Sequence, residues 1–322
     1  MIFSKQNRLY TSNFAFAKLN SDEPDALVIY HPSDAFEPYE YHVHSTHSLD
    51  EHVALVNAEK IKKAVVIAED ISFLPECHTL EYLSVIPSYS CQKFDFSPLY
   101  QMQNLKWLSC VTTFGPDNKK FAQLDCSKLS CVKRLSVDGK QKNLCLDGLQ
   151  DLRSLFLHSG AYDHKDLKPL CDCKNLINLW FTQNAVYSLD GIEKLTSLKR
   201  LELDHCSKLE DISALSACTE TLTWLTIDTC NKIIDFAPLA DLKSLEYLYI
   251  KGNNTLPDLS FVKAMPHLKL LFFTVKIQDG DLSLCEGIPD VQFVDRRHYS
   301  HQSKDFPKNG SIQTHLFYYE NE

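Results

Sequence analysis

Glycine is scarce, with nine residues in a chain of 322. Loops that cradle a nucleotide phosphate need several glycines close together, and none cluster in that way. Neither G-x-S-x-G nor H-E-x-x-H occurs, so the chain lacks both a nucleophile elbow and a zinc-protease helix. These absences predict a protein that is not an enzyme and takes no cofactor. No apolar run reaches membrane-spanning length. The opening MIFSKQNRLYTSNF carries Lys5 and Arg8 but no apolar core of signal-peptide length behind them. The expected location is therefore the cytoplasm, without a membrane partner. Basic residues are outnumbered 33 to 42, for a net charge of −9. That balance predicts no nucleic-acid partner and favours a protein with a basic surface. The twelve cysteines, in a chain without a secretory signal, read as reduced and mostly buried small hydrophobes.

What the sequence does have is a period. The pattern L-x-x-L-x-L appears as LEYLSV from Leu80, LKWLSC from Leu105, VKRLSV from Val132 and LRSLFL from Leu152. It continues as LINLWF from Leu176, LKRLEL from Leu198, LTWLTI from Leu222, LEYLYI from Leu245 and LKLLFF from Leu268. A degraded copy, VQFVDR, starts at Val291, and IKKAVV from Ile61 reads as a worn first copy. From Leu80 the starts lie 25, 27, 20, 24, 22, 24, 23, 23 and 23 residues apart. Three residues after the last apolar position of the motif stand Asn184, Cys206, Cys230 and Asn253. A second register, Asp70, Asp95, Asp166, Asp211, Asp235, Asp258 and Asp281, heads turns such as DISFL and DFAPL. An aspartate repeated at one position before apolar residues is a turn cap, not a catalytic group.

This pattern resembles the leucine-rich repeat, and the x-D-I-x-x-L form is most similar to the internalin and phosphatase-regulator class. The resemblance covers residues 61–297. It implies an α/β solenoid of about ten repeats, with a curved parallel sheet on the concave face and short helical or 3-10 turns on the convex face. In that fold the Asn or Cys turns inward to hydrogen-bond loop backbone that water cannot reach. Residues 1–60 lack the repeat and read as an N-terminal cap, with a capping box between Ser48 and Glu51. Residues 298–322 read as a C-terminal cap or tail that closes the other end through HLFYY. The stretch FVDRRHYSH, residues 293–301, is similar to the terminal segment of bacterial leucine-rich repeat proteins, some of them encoded beside polymorphic toxins. The implied role is that of an immunity protein.

Alternation along a strand puts the third, fifth and seventh residues of each motif on the face away from the core. All three tryptophans, Trp107, Trp180 and Trp224, fall in these thirty positions. Aromatics number nine of the thirty, against 11% of the chain, and an open face does not need them for packing. Trp, Tyr and Arg carry most binding energy at interfaces. The expected partner-binding residues are Trp107, Phe156, Trp180, Arg200, Glu202, Asp204, Trp224, Asp228, Tyr247, Tyr249 and Lys251, with Trp224 as the anchor. Asp204 and Asp228 share a column in neighbouring repeats, about 4.8 Å apart, so they require a cation nearby. Either Arg200 supplies it or a Lys or Arg of the partner does. An apolar patch of Leu270, Phe272 and Phe293 could also meet a second copy.

The rival chemistry lies in YHVHSTHSLDEH, where His42, His44, His47 and His52 could share a metal. No acidic partner stands at set spacing, and a surface loop is the simpler reading. Cys171 and Cys173 form a single C-x-C without a second pair, so no metal is expected there. The sequence thus points to a non-enzymatic protein-binding module that grips a partner, a toxin or nuclease in the narrower reading. The alternatives are a metal-dependent enzyme or metal sensor using the N-terminal histidines, and a scaffold or phosphatase regulator.

Overall fold

The computed structural model describes residues 8–11, 14–17, 26–31, 47–88, 91, 93–111, 123–141 and 144–308. Two compact units are present, one built on residues up to Leu152 plus Phe156–Ala161, the other on Arg153–Leu155 and the residues from Tyr162 on.

The first unit starts with strands β1 (Arg8–Thr11) and β2 (Phe14–Ala17), paired antiparallel, and β3 (Ala26–His31), antiparallel to β2. Helix α1 (Leu49–Ala58) follows. Its capping box is the one expected: Glu51 N–H donates to Ser48 Oγ at 3.2 Å and Ser48 N–H donates to Glu51 Oε2 at 2.7 Å. Parallel strands then succeed one another as β4 (Lys63–Ala68), β5 (Tyr82–Pro87), β6 (Trp107–Val111) and β7 (Arg134–Asp138). The register Lys63↔Tyr82↔Trp107↔Arg134 makes IKKAVV a true first copy of the motif. A parallel strand precedes even that one, because β3 pairs with β4 through Leu27↔Ala64.

β8 (Ser154–His158) is divided between the units. The second unit continues with β9 (Asn178–Thr182), β10 (Arg200–Asp204), β11 (Trp224–Asp228) and β12 (Tyr247–Lys251). After a short β13 (Thr255–Leu256) come β14 (Leu270–Phe273), β15 (Lys276–Ile277) and β16 (Asp290–Phe293). β9 through β12, β14 and β16 are parallel neighbours in that order, and β13 pairs with β15 separately. Leu179, Leu201, Leu225, Leu248, Leu271 and Val291 lie in register as one buried row. No single turn could bury this row; stacked copies bury it jointly. On the return side of most turns runs a 3-10 helix, such as Ile192–Lys194, Ser213–Cys218, Ala237–Asp241 and Ser260–Ala264. The fold class is the leucine-rich repeat coil that the spacing predicts.

The aspartate register works as local chemistry requires. Asp95, Asp211, Asp235, Asp258 and Asp281 each accept the backbone N–H of the residue two positions on, at 2.7–2.9 Å, which starts the 3-10 turn. Asp125, outside the predicted register, does the same for Ser127 at 3.2 Å.

The residue after each of β9 to β12 is held left-handed: Gln183, His205 and Thr229 have φ of 56°, 52° and 53°, and Gly252 has 123°. That bend turns the next residue inward. Asn184 Oδ1 accepts from Tyr162 N–H at 2.8 Å, and its amide donates to Thr182 O. Cys230 Sγ lies 3.5 Å from both Leu203 O and Asp228 O. In the next turn the spacing points to Asn253, but Asn253 is exposed. Asn254 is the inward residue, donating to Ile233 O at 2.8 Å and Cys230 O at 3.4 Å. Gly252 lengthens the bend by one residue, hence the slip. All twelve cysteines are free thiols. Burial pushes the Cys77 and Cys218 thiols up to about 11 and Cys285 to about 12, as for inert core groups.

The last repeat differs from its predicted frame. β14 and β16 pair as Leu270↔Asp290, Leu271↔Val291 and Phe272↔Gln292, so the copy starts at Ile288, three residues before Val291. Phe293 is therefore a core residue stacked on Phe273 at 5.1 Å, and is not part of an outward apolar patch. Beyond it the chain packs back on the last described turns. Ile277 N–H donates to Tyr299 Oη at 3.0 Å, Leu282 N–H donates to Ser300 Oγ at 2.9 Å, and a ring nitrogen of His298 lies 2.8 Å from Ile277 O. Phe306 packs edge-on against Phe293, and Val291 N–H donates to Pro307 O at 3.3 Å. FVDRRHYSH thus packs on the last described turns. The HLFYY sequence expected to close the coil lies outside the described residues.

Two stability predictions follow from these turns. A Cβ at Gly191 (φ 102°) would stand 2.5 Å from Lys168 N, whereas one at Gly287 (φ 89°) would meet nothing within 4 Å. Gly191→Ala should cost about 2–4 kcal/mol and Gly287→Ala only about 1–2 kcal/mol in urea unfolding, the difference measuring close approach rather than φ. Equal losses would place the whole effect in the dihedral. The second concerns pH. Backbone N–H donors two residues on hold the carboxyls of Asp95, Asp211 and Asp281 below the ordinary range, and the Ser260 hydroxyl does so for Asp258. A folded pKa below the unfolded one gives stability that is complete above the unfolded value, about 3.9, and lost as pH falls through the folded value. The urea midpoint should drop below about pH 4, and Asp211→Asn, which keeps the acceptor oxygen, should flatten that drop. A midpoint indifferent to acid would contradict it.

Candidate protein-binding face

The outward positions of β10, β11, β12 and β14 form a side-chain layer on the face opposite the leucine row. Its backbone is held by bonds such as Trp224 N–H to Lys199 O and Tyr247 N–H to Thr223 O, each 3.0 Å. In register across the strands stand Arg200, Trp224, Tyr247 and Leu270 in one column, and Glu202, Thr226, Tyr249 and Phe272 in the next. Strand pairing thus brings together nine of the predicted residues: Arg200, Trp224 and Tyr247 in one column, Trp180, Glu202 and Tyr249 in the next, and Asp204, Asp228 and Lys251 in the third.

Within this layer the Arg200 guanidinium lies 3.9 Å from the Trp224 ring centroid. Trp224 stacks on Tyr249 at 5.1 Å and tilts against Tyr247 at 5.0 Å, and Tyr249 meets Phe272 at 6.0 Å. The indole N–H donates to Thr226 Oγ1 at 3.1 Å. Offset aromatic contacts at such spacing add to simple burial, and a guanidinium over an indole adds a cation–π attraction. The layer is therefore a small second core. Trp224 keeps only 7% of its surface exposed, Tyr249 4% and Leu270 1%. An anchor standing in open water is not what the structure shows: Trp224 faces away from the leucine row as predicted, but its neighbours cover it. Tyr247 and Phe272 remain partly exposed, as does Trp180 opposite Glu202. Burial raises the Tyr249 hydroxyl to about 12, and among the described residues that oxygen has no hydrogen-bond partner.

The carboxylates do not wait for an external cation. Arg200 Nε donates to Glu202 Oε1 at 2.6 Å, Lys251 Nζ to Asp228 Oδ2 at 2.6 Å, and a ring nitrogen of His205 lies 2.5 Å from Asp204 Oδ1. Burial alone would raise the Asp228 carboxyl, but the Lys251 and Thr229 hydrogen bonds outweigh it and hold the group below its usual range. The chain thus supplies its own counter-charges, with Lys251 in the role the column assigns to a cation.

Trp107 and Phe156 belong to the first unit and are not part of this cluster. Trp107 is half-buried, edge-on to Tyr82 at 6.1 Å. That unit has an outward cluster of its own, Val28, Tyr30, Val65 and Ile67, with Ile86 packed against it. Sequence spacing misses it because β3 carries no leucine motif. Of the N-terminal histidines, His42 and His44 lie outside the described residues. His47 stacks on Phe14 at 3.9 Å, while His52 is buried with a ring nitrogen 2.8 Å from Ser48 O. Among the described residues no three His, Cys, Asp or Glu side chains group to hold a metal ion. Nor, among them, is any helix long and apolar enough to cross a membrane.

No family model matches the chain. Among solved structures it is similar to an internalin from Listeria monocytogenes, at 22% identity and a TM-score of 0.56 over 77% of this chain and 72% of that one. A second internalin from the same organism aligns at 25% identity and a TM-score of 0.44, over 60% of this chain and 86% of that one. Among curated proteins, a probable inactive serine/threonine-protein kinase of Dictyostelium discoideum is 30% identical over 126 residues, 39% of this chain and only 6% of that protein. At such identity the likeness concerns the fold. The first internalin's likeness and the strand register give this chain the leucine-rich repeat fold.

Proposed function

We propose that the chain is a non-catalytic module that binds another protein through the outward face of β9–β14. The observation that carries this reading is the Arg200–Trp224–Tyr249–Phe272 stack: a preorganised aromatic layer on a face that the leucine row does not need. Side chains fixed in advance lose little rotamer entropy on binding, and a central aromatic cluster ringed by satisfied ion pairs has the composition of an interface hot spot. The contact atoms in this reading are the partly exposed Trp180, Asp204, Asp228, Tyr247, Lys251 and Phe272, with Trp224, Arg200, Glu202 and Tyr249 as the support beneath. Trp107 and Phe156 would serve a separate contact of the first unit.

The narrower reading is neutralisation of a toxin in the cytoplasm. It draws on the resemblance of FVDRRHYSH to the ends of other bacterial repeat proteins, and on the net charge of −9. Because Asp228 already holds Lys251, a basic toxin would exchange a cation there rather than add one. Salt should therefore act on its association rate more than on its final affinity.

The test uses the full chain in quantitative capture of its partner. Tyr247→Ala combined with Lys251→Glu should weaken binding at least tenfold, about 1.4 kcal/mol. Lys194→Glu, on the exposed turn side of the coil, should leave it unchanged. Equal binding by both variants would remove this face from the site.

A further inference from the structure

Strand β10 runs between two tryptophans. Trp224 on β11 stands opposite Arg200 and diagonal to Glu202, and Trp180 on β9 stands opposite Glu202 and diagonal to Asp204. The two indole–carboxylate pairs therefore have the same offset. In the first, the strand itself fills the interval: the Arg200 guanidinium lies 3.9 Å from the Trp224 ring centroid while its Nε donates to Glu202. In the second, the residue opposite the indole is Glu202, so the register places no cation at the equivalent point. Trp180 and Asp204 are both partly exposed. Diagonal neighbours on one face stand about 7–8 Å apart, an interval that one guanidinium spans when it lies on the ring.

Charge points the same way. Of the outward carboxylates on β10 and β11, Glu202 holds Arg200 and Asp228 holds Lys251, both permanent cations. The group against Asp204 is His205, which is a cation only when protonated. Asp204 also stands one strand spacing, about 4.8 Å, from Asp228, so the negative charge of this column exceeds what Lys251 alone cancels. The same face carries an independent sign of a polar visitor. The Tyr249 hydroxyl is buried and, among the described residues, has no hydrogen-bond partner, and an unmade buried bond is costly.

We propose that the partner of this face presents an arginine, which lies on the Trp180 indole and pairs with Asp204. A guanidinium is planar, stacks on a ring and offers two parallel donors to a carboxylate, whereas an ammonium is a point charge. Arg200 on Trp224 shows the same geometry within the chain. This rests on the binding reading above and deepens it. Asp228 offers only the exchange of one cation for another, while Asp204 gains one, so arginine at this point selects the partner.

The test uses the full chain with isotope-labelled tryptophan. Its three indole N–H NMR signals, assigned by single Trp→Phe substitutions, are followed during titration with N-acetyl-arginine methylamide at fixed ionic strength. The expected result is a saturable shift of the Trp180 signal alone. The citrulline derivative, an uncharged analogue of the same shape, and the lysine derivative should each bind at least about fivefold more weakly. Asp204→Asn, which keeps the shape, and His205→Lys, which gives Asp204 a permanent cation, should each weaken arginine binding at least about fivefold. Lys60 adopts φ 53° in this chain, so a lysine fits the bend at position 205. A Trp180 signal that ignores arginine, follows citrulline or lysine as closely, or responds undiminished in both variants would overturn the proposal. Equal shifts at all three indoles would do the same. If Trp180 responds as stated but Tyr247→Ala with Lys251→Glu still captures the partner, the binding reading fails and the arginine subsite stands. If that variant loses the partner while Trp180 ignores arginine, the face stands and this inference fails.

Discussion

The middle of this coil depends on one bend, the left-handed residue that follows each strand from β7 to β12. The chain must leave the sheet sharply there, and the backbone groups it carries inward are out of reach of water. Gln183, His205 and Thr229 adopt φ near 50° although none is glycine, at a cost of roughly 1–2 kcal/mol each. The next side chain offsets that cost. Asn184, Cys206, Cys230 and Asn254 reach the carbonyls and amides of the adjacent turn. Each bond runs to a neighbouring repeat, so the stability of any turn depends on those beside it.

Much of this was legible because it repeats. A leucine every two residues within a strand, and every 20–27 residues along the chain, leaves little room for another fold. The aspartates could be assigned to turns for the same reason. The reading fails where the repeat is locally broken. Gly252 adds a residue to its bend and moves the inward amide from Asn253 to Asn254. The last copy holds two overlapping apolar patterns, Ile288–Val291–Phe293 and Val291–Phe293–Val294, and only strand pairing selects the first. β3 escapes notice because Ala26 to Tyr30 are buried on both faces and so show no alternation.

The outward face was legible in its columns but not in its energetics. A sequence shows that Asp228 and Lys251 occupy one position in adjacent repeats, and a spacing of about 4.8 Å is enough to predict their pairing. It does not show that Arg200 lies across the Trp224 ring, because that depends on rotamers chosen by Tyr247 and Tyr249. The result is a layer whose charges are matched internally and whose rings support one another.

The junction of Pro307 with β16 has a wider consequence. A parallel sheet that simply stops presents a row of unsatisfied amides, the template on which chains assemble end to end. Here the final strand is met by a residue whose nitrogen carries no hydrogen, beside the bulk of Phe306. A strand arriving from another molecule would find Val291 already engaged and no amide on Pro307 to bond. The architecture that makes repeats easy to add is thus given a terminus that discourages fibre growth.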